Sequence, residues 1–115
     1  MDSRRIKSIF LGVMAIWSSA AQSAVGTHYG SIDALLSDNK NYGFCMIKVK
    51  WESSIDCPNN WVSVDCKGSY STKENTRRLW DVALMAKATD SNIYLVINDA
   101  KKHNGFCVVE RIELF

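Results

Sequence analysis

Two short stretches of alternating residues, each with a cysteine on its apolar face, constrain this chain more than any other feature. Over residues 42–52, Cys45, Ile47, Val49 and Trp51 point one way and Phe44, Met46, Lys48 and Lys50 the other. That two-residue period is the signature of a strand. Over residues 61–66, Val62, Val64 and Cys66 share one face, and Trp61, Ser63 and Asp65 the opposite one. Between them, residues 53–60 form a polar loop in which Cys57 precedes the single proline, Pro58. Paired as a hairpin, the strands bring the sulfurs of Cys45 and Cys66 to the same inner side. Directly opposed residues of an antiparallel pair hold their Cβ atoms ~4.5–5.5 Å apart, near the ~4 Å that a disulfide needs. Cys57 is then left for Cys107, which would tie the loop to the last strand. The competing pairing, Cys57–Cys66 with Cys45–Cys107, closes a shorter loop and stays open, because spacing does not fix connectivity.

Such bridges persist in oxidising compartments, and the amino end agrees. Residues 1–24 have a basic start (Arg4, Arg5, Lys7), an apolar run over 9–17 and a small-residue tail ending in Ala21-Gln22-Ser23. This is the layout of a secretory signal peptide, and the run is shorter than the ~20 apolar residues of a membrane-spanning helix. Arg4-Arg5 has the pair of a twin-arginine signal, but Ile6-Lys7-Ser8 replaces the apolar residues that should follow it. The expected organisation is therefore a signal peptide over 1–24 and a single domain over 25–115, periplasmic or secreted, with no membrane span. The leader holds three of the fourteen basic residues and one of the twelve acidic ones, which leaves eleven of each. With no net charge, the mature part offers no electrostatic footprint for nucleic acid. Its 91 residues bury only a modest core, so disulfides or oligomerisation would help it.

The remaining elements follow from periodicity. Residues 27–37 read as a first strand, with Ile32, Ala34 and Leu36 alternating, and 38–41 as a turn. After the third strand the period lengthens. Ser71-Thr72-Lys73-Glu74 has the form of a capping box, and Leu79, Trp80, Ala83 and Leu84 follow at helical spacing. Asp90-Ser91-Asn92 stops the helix, residues 93–99 read as a fourth strand, 101–105 as a turn with Asn104-Gly105, and 106–114 as a fifth strand. The fold class is mainly β with one helix (α+β), in the order β-β-β-α-β-β. That order belongs to the OB-fold, a small Greek-key barrel with five strands; another small α+β sandwich is the alternative.

On these residues a family resemblance rests. "YGFCMIKVKW", "VSVDC" and "NTRRLWDVALMAKATDSNIYLVIND" resemble the binding (B) subunits of exported bacterial A–B toxins of the typhoid- and pertussis-toxin type. They are equally similar to a broad group of small exported proteins of uncharacterised role. The likeness covers residues 29–115. It implies an OB-fold protomer in a ring of five, helices around a central pore, glycan pockets on the outer wall or membrane-facing rim, and an enzymatic A subunit as partner. The chain departs from that pattern before strand one, where the toxin-type subunits carry an aromatic- and hydroxyl-rich segment. Lys50 matches a basic residue that contacts the sugar carboxylate in the typhoid-type subunit.

No catalytic apparatus is expected. His28 lies near the signal junction and His103 in the "KKHNG" turn, both read as exposed loop residues. No C-x-x-C, Gly-rich phosphate loop or paired-carboxylate motif occurs, so neither a metal nor a cofactor is implied. Asp65, Asp81 and Asp99 read as solvated acids. Two non-catalytic readings remain: a glycan-binding, ring-forming subunit, or an envelope module with no toxin partner. The first needs aromatic residues near polar groups at a barrel mouth. Tyr29, Tyr42, Trp51, Trp61 and Tyr70 are the aromatic candidates, with Tyr29, Tyr42 and Lys50 the foremost ligand residues. Arg77, Asp81 and Lys87 form a mixed-charge helix face suited to a pore, and strands one and five would be edges that neighbouring copies cover.

Overall fold

The computed structural model describes residues 25–50 and 57–115. The expected signal peptide, Trp51 and the rest of 51–56 lie outside the described residues. Five strands and one helix follow in the order β1 (Val25–Ser37), β2 (Cys45–Val49), β3 (Trp61–Ser63), α1 (Lys73–Ala88), β4 (Asn92–His103) and β5 (Phe106–Leu114). The sheet closes on itself in the order β1-β2-β3-β5-β4. The fold is thus an OB-like barrel, mainly β with one helix.

β1 is long enough to serve two neighbours. Its first half pairs with β4, from Val25↔Asn98 to Ser31↔Asn92, and its second half with β2, from Ile32↔Val49 to Ser37↔Cys45. A register shift between Ile32 and Ala34 lets the strand turn from one neighbour to the other. Strands one and five are consequently not edges. β5 pairs with β4 along its length and meets β3 in parallel at Ser63↔Val108.

The inward faces build one core. Ile47, Val62, Val64, Ile93, Leu95, Ile97 and Cys107 are fully buried. Helix α1 lies on this core through Thr76, Ala83 and Ala86, with Leu79 and Trp80 beside them. Leu84, expected on that stripe, is instead 43% exposed, because the buried face centres on positions 76, 79, 83 and 86, with Trp80 at its edge and Leu84 beyond it. Met46 and Ser63, a cross-strand pair expected on the outer face, are also buried.

The two disulfides are Cys45–Cys66, with Cα atoms 5.5 Å apart, and Cys57–Cys107, 5.7 Å apart. Their sequence separations of 21 and 50 residues correspond to about 3 and 4 kcal/mol of chain-entropy stabilisation. Cys66 reaches Cys45 from just beyond β3. The strand stops at Ser63 because Asp65 adopts a left-handed backbone (φ 61°), although Val64 N–H still donates to the Cys45 carbonyl at 2.9 Å.

The expected second strand also starts late, because the turn before it extends through Phe44. Asp38 accepts N–H bonds from Lys40 (2.7 Å) and Asn41 (2.8 Å), while Tyr42, Gly43 and Phe44 all have positive φ. Backbone donors from Asn41 and Lys40 hold the Asp38 carboxyl below the usual range. The helix cap lies one residue later than the capping box predicts. Thr72, not Ser71, accepts from Asn75 N–H at 3.1 Å, and Glu74 pairs with Arg78 instead. β4 is longer than expected and passes through a bulge to the two-residue turn Asn104-Gly105, whose positive φ values (53° and 85°) match a hairpin turn.

Candidate functional site

The polar end of the barrel is organised by one buried carboxylate. Asp65 is only 1% exposed, and the "DCKGSYS" loop wraps around it. Its oxygens accept backbone N–H bonds from Ser69 (3.0 Å), Tyr70 (2.8 Å) and Ser71 (3.3 Å). His103 Nε2, which must donate to a carboxylate, lies 2.6 Å from Oδ1. A buried ionised group is tolerable when several donors satisfy it, and here four do. The same contacts explain the shifted helix cap: Asp65 holds Ser71 in the loop, so the helix begins after it. Asp65 and both histidines therefore correct the sequence reading, since His28 is 3% exposed and the His103 side chain 12%.

The knot reaches two further turns. Ser63 Oγ donates to the Tyr42 carbonyl (2.7 Å) and accepts from Asp65 N–H (3.1 Å). Tyr42 N–H donates to Asn104 Oδ1 at 2.7 Å. Gly43 sits where these turns meet, at φ 69°; a Cβ there would fall 2.5 Å from His103 Cδ2 and 2.6 Å from Ser63 Oγ. Only glycine fits. The Ser63 hydroxyl is directed to a carbonyl and the imidazole to a buried carboxyl group, so each side chain ties one turn to another.

Beside the knot a cleft of about 410 Å³ opens between the start of α1 and the β4–β5 hairpin. Its walls include Tyr70, Asn75 and Arg78 on one side and Lys101, Val109 and Glu110 on the other. The two cations are paired, Arg78 with Glu74 at 3.2 Å and Lys101 with Glu110 at 3.4 Å. Tyr70 is 43% exposed and yet held three ways. Asp65 fixes its backbone, its hydroxyl donates to the Lys102 carbonyl (2.7 Å) and accepts from Lys102 N–H (3.2 Å), and its ring meets His103 edge-on at 5.1 Å. An exposed aromatic immobilised in this way is a preorganised platform.

The foremost sequence candidates do not converge. Tyr42 is half-buried in the turn before β2 and packs edge-on against Phe106, at the start of β5. Tyr29 is 56% exposed and packs against Phe115, just past the other end of that strand. Nine residues of extended chain separate those contacts by about 30 Å. Lys50 is exposed immediately after β2, beyond the Ile32↔Val49 pair. Trp61 is half-buried at the start of β3, paired with Lys48. Among the described aromatic candidates, Tyr70 alone lines the cleft. What sequence reasoning missed was the Asp65–His103 pair. The signal available was local: an aspartate followed by Gly68, Ser69 and Ser71 is turn chemistry, in which a side-chain carboxylate caps nearby N–H groups.

His28 lies in β1 with its ring in the barrel wall, and burial pushes its pKa down to about 4. Among the described residues no group of three His, Cys, Asp or Glu is placed to hold a metal ion, and no helix is long and apolar enough to cross a membrane. No family model matches the chain, and searches of curated proteins and of solved structures return no match.

Proposed function

We propose that this chain is an exported, non-catalytic binding module that takes a glycan at the cleft beside Tyr70. The observation that carries this reading is the clamped, exposed Tyr70 ring on the wall of a cleft of about 410 Å³. That volume lies at the small end of the ~300–1,000 Å³ typical of ligand pockets and suits one or two sugar rings. A fixed aromatic face accepts the apolar face of a sugar at little entropic cost, and Ser71 and Asn75 offer hydrogen-bonding groups to its hydroxyls. Two disulfides within a small barrel accord with export to an oxidising compartment.

Ring formation of the toxin-subunit kind, with an enzymatic partner, belongs to the same reading. Its support is the exposed apolar surface of Tyr29, Leu114 and Phe115 together with Leu84 and Met85 on α1. Closure of the sheet favours a second reading, an envelope module without a toxin partner, because a barrel without edges needs no neighbour. The test is a glycan array probed with the oxidised mature protein and with Tyr70→Ala, alongside light scattering. Glycan binding that Tyr70→Ala abolishes supports the module; an array without signal overturns it. A mass of one protomer at micromolar concentration selects the second reading.

A further inference from the structure

Helix α1 has two flanks, one on each side of the stripe that rests on the core. The flank described above carries Asn75 and Arg78. The opposite flank carries Lys73, Arg77 and Trp80, at spacings of four and three residues that put them on one face. With Cys45 and Cys66 these residues line a second, smaller cleft of about 260 Å³. The Cys45–Cys66 disulfide forms part of its wall, so the cleft stands on covalently fixed backbone.

The charge in this cleft is unlike that of the first. Among the described residues neither Lys73 nor Arg77 forms an ion pair, whereas Arg78 and Lys101 each face a glutamate. Like charges four residues apart on a helix are mildly destabilising, by ~0.2–0.5 kcal/mol. Among the described residues no carboxylate lines the cleft. Residues 25–115 carry equal numbers of acidic and basic residues, so two cations without an ion-pair partner among the described residues, beside a half-buried tryptophan, are a local arrangement, not a reflection of a basic protein.

We propose that this flank is a second binding site, for a one-ring ligand that bears a carboxylate. The Arg77 guanidinium presents a planar fork that matches a carboxylate in two parallel hydrogen bonds, and Lys73 adds a point charge beside it. Trp80, part-buried and packed on the core, offers the apolar surface for the ligand's ring. The smaller volume admits a single ring. An acidic sugar meets all three conditions, and the site stands on residues independent of the Tyr70 cleft.

The test uses the oxidised full mature chain, titrated with glucuronate, glucose and acetate while the Trp80 indole and Arg77 amide resonances are followed. The indole is assigned through Trp80→Phe. Glucuronate is expected to shift both resonances in a saturable way, acetate to shift Arg77 only weakly, and glucose to shift neither. The double variant K73Q/R77Q should weaken glucuronate binding at least about tenfold, the ratio that a lost charge-assisted hydrogen bond of ~1.4 kcal/mol produces. Equal binding of glucose, unmoved Trp80 and Arg77 resonances, or an affinity that K73Q/R77Q leaves unchanged would each overturn the assignment. Array binding of acidic glycans that K73Q/R77Q leaves unchanged removes this second site, whereas binding of neutral glycans that Tyr70→Ala abolishes supports the glycan-binding module with or without it.

Discussion

The two histidines mark two different ends of the barrel. His103 sits in the polar end, where Asp65 gathers a loop, a hairpin and an imidazole around one buried carboxylate. His28 lies next to Tyr29, toward the end where Tyr29, Leu114 and Phe115 are exposed and the Phe115 N–H donates to the Asn92 carbonyl. At the polar end, directional bonds fix a turn against a turn. At the apolar end, the ring-on-ring contact of Tyr29 and Phe115 leaves both side chains more than half exposed. One end is stabilised by what it already holds; the other presents surface that remains available. The polar end thus joins the knot to the Tyr70 cleft, while the apolar end carries exposed surface that no such network holds.

The sharpest way to break that comparison is Asp65→Ala. It leaves three backbone donors and the His103 ring without their acceptor, and one or two buried donors unsatisfied cost ~1–3 kcal/mol each. A loss of about 3 kcal/mol, or a melting point lower by roughly 10–20 °C, is expected in calorimetry. A drop of under about 1 kcal/mol would mean that the knot is ornamental. Gly43→Ala comes next, at about 2 kcal/mol, from the left-handed backbone and the crowding against His103 and Ser63. Its unfolding midpoint in urea should fall with an unchanged slope.

A graded effect belongs to His28. Unfolded, a histidine takes up its proton near pH 6.5; folded, His28 does so only near pH 4. Between these values the unfolded chain binds more protons, so stability falls as the pH drops from about 6.5 toward 4 and the loss is complete below that. Asp38, whose folded carboxyl titrates lower than when unfolded, adds loss in the same direction at more acid pH. Stability-versus-pH curves should flatten over the upper window in His28→Leu; an unchanged slope there would reassign the acid sensitivity.

The smallest effect on folding is expected at the apolar end. Tyr29→Ser combined with Phe115→Ser should shift stability by no more than about 0.5 kcal/mol per site. In light scattering, however, the pair should reduce any multi-protomer mass to that of one protomer. If these substitutions unfold the chain as Asp65→Ala does, the two ends are not separable.

Much of the architecture was legible because period-two and period-3.6 patterns report which faces are buried. β5 falls where its alternation puts it, and the facing of Cys45 and Cys66 anticipated their bridge. Asn104-Gly105 announced its turn through residues that tolerate positive φ. The errors cluster where tertiary contacts override local preference: the helix cap displaced by Asp65, Leu84 left outside, and Met46 and Ser63 buried on a face that reads as outer.

The candidate sites divide along the same line. Local order in the chain determined the strands, the helix and the separation of Lys73, Arg77 and Trp80 by helical spacing, since each depends on neighbours within a few residues. Only the closed barrel decided that Asp65 meets His103 across 38 positions, that Tyr70 is clipped to Lys102 across 32, and that Tyr29 and Tyr42 lie far apart. Such long-range pairs depend on strand order and register, and these are set by the packing of the whole core, which no short window of sequence contains.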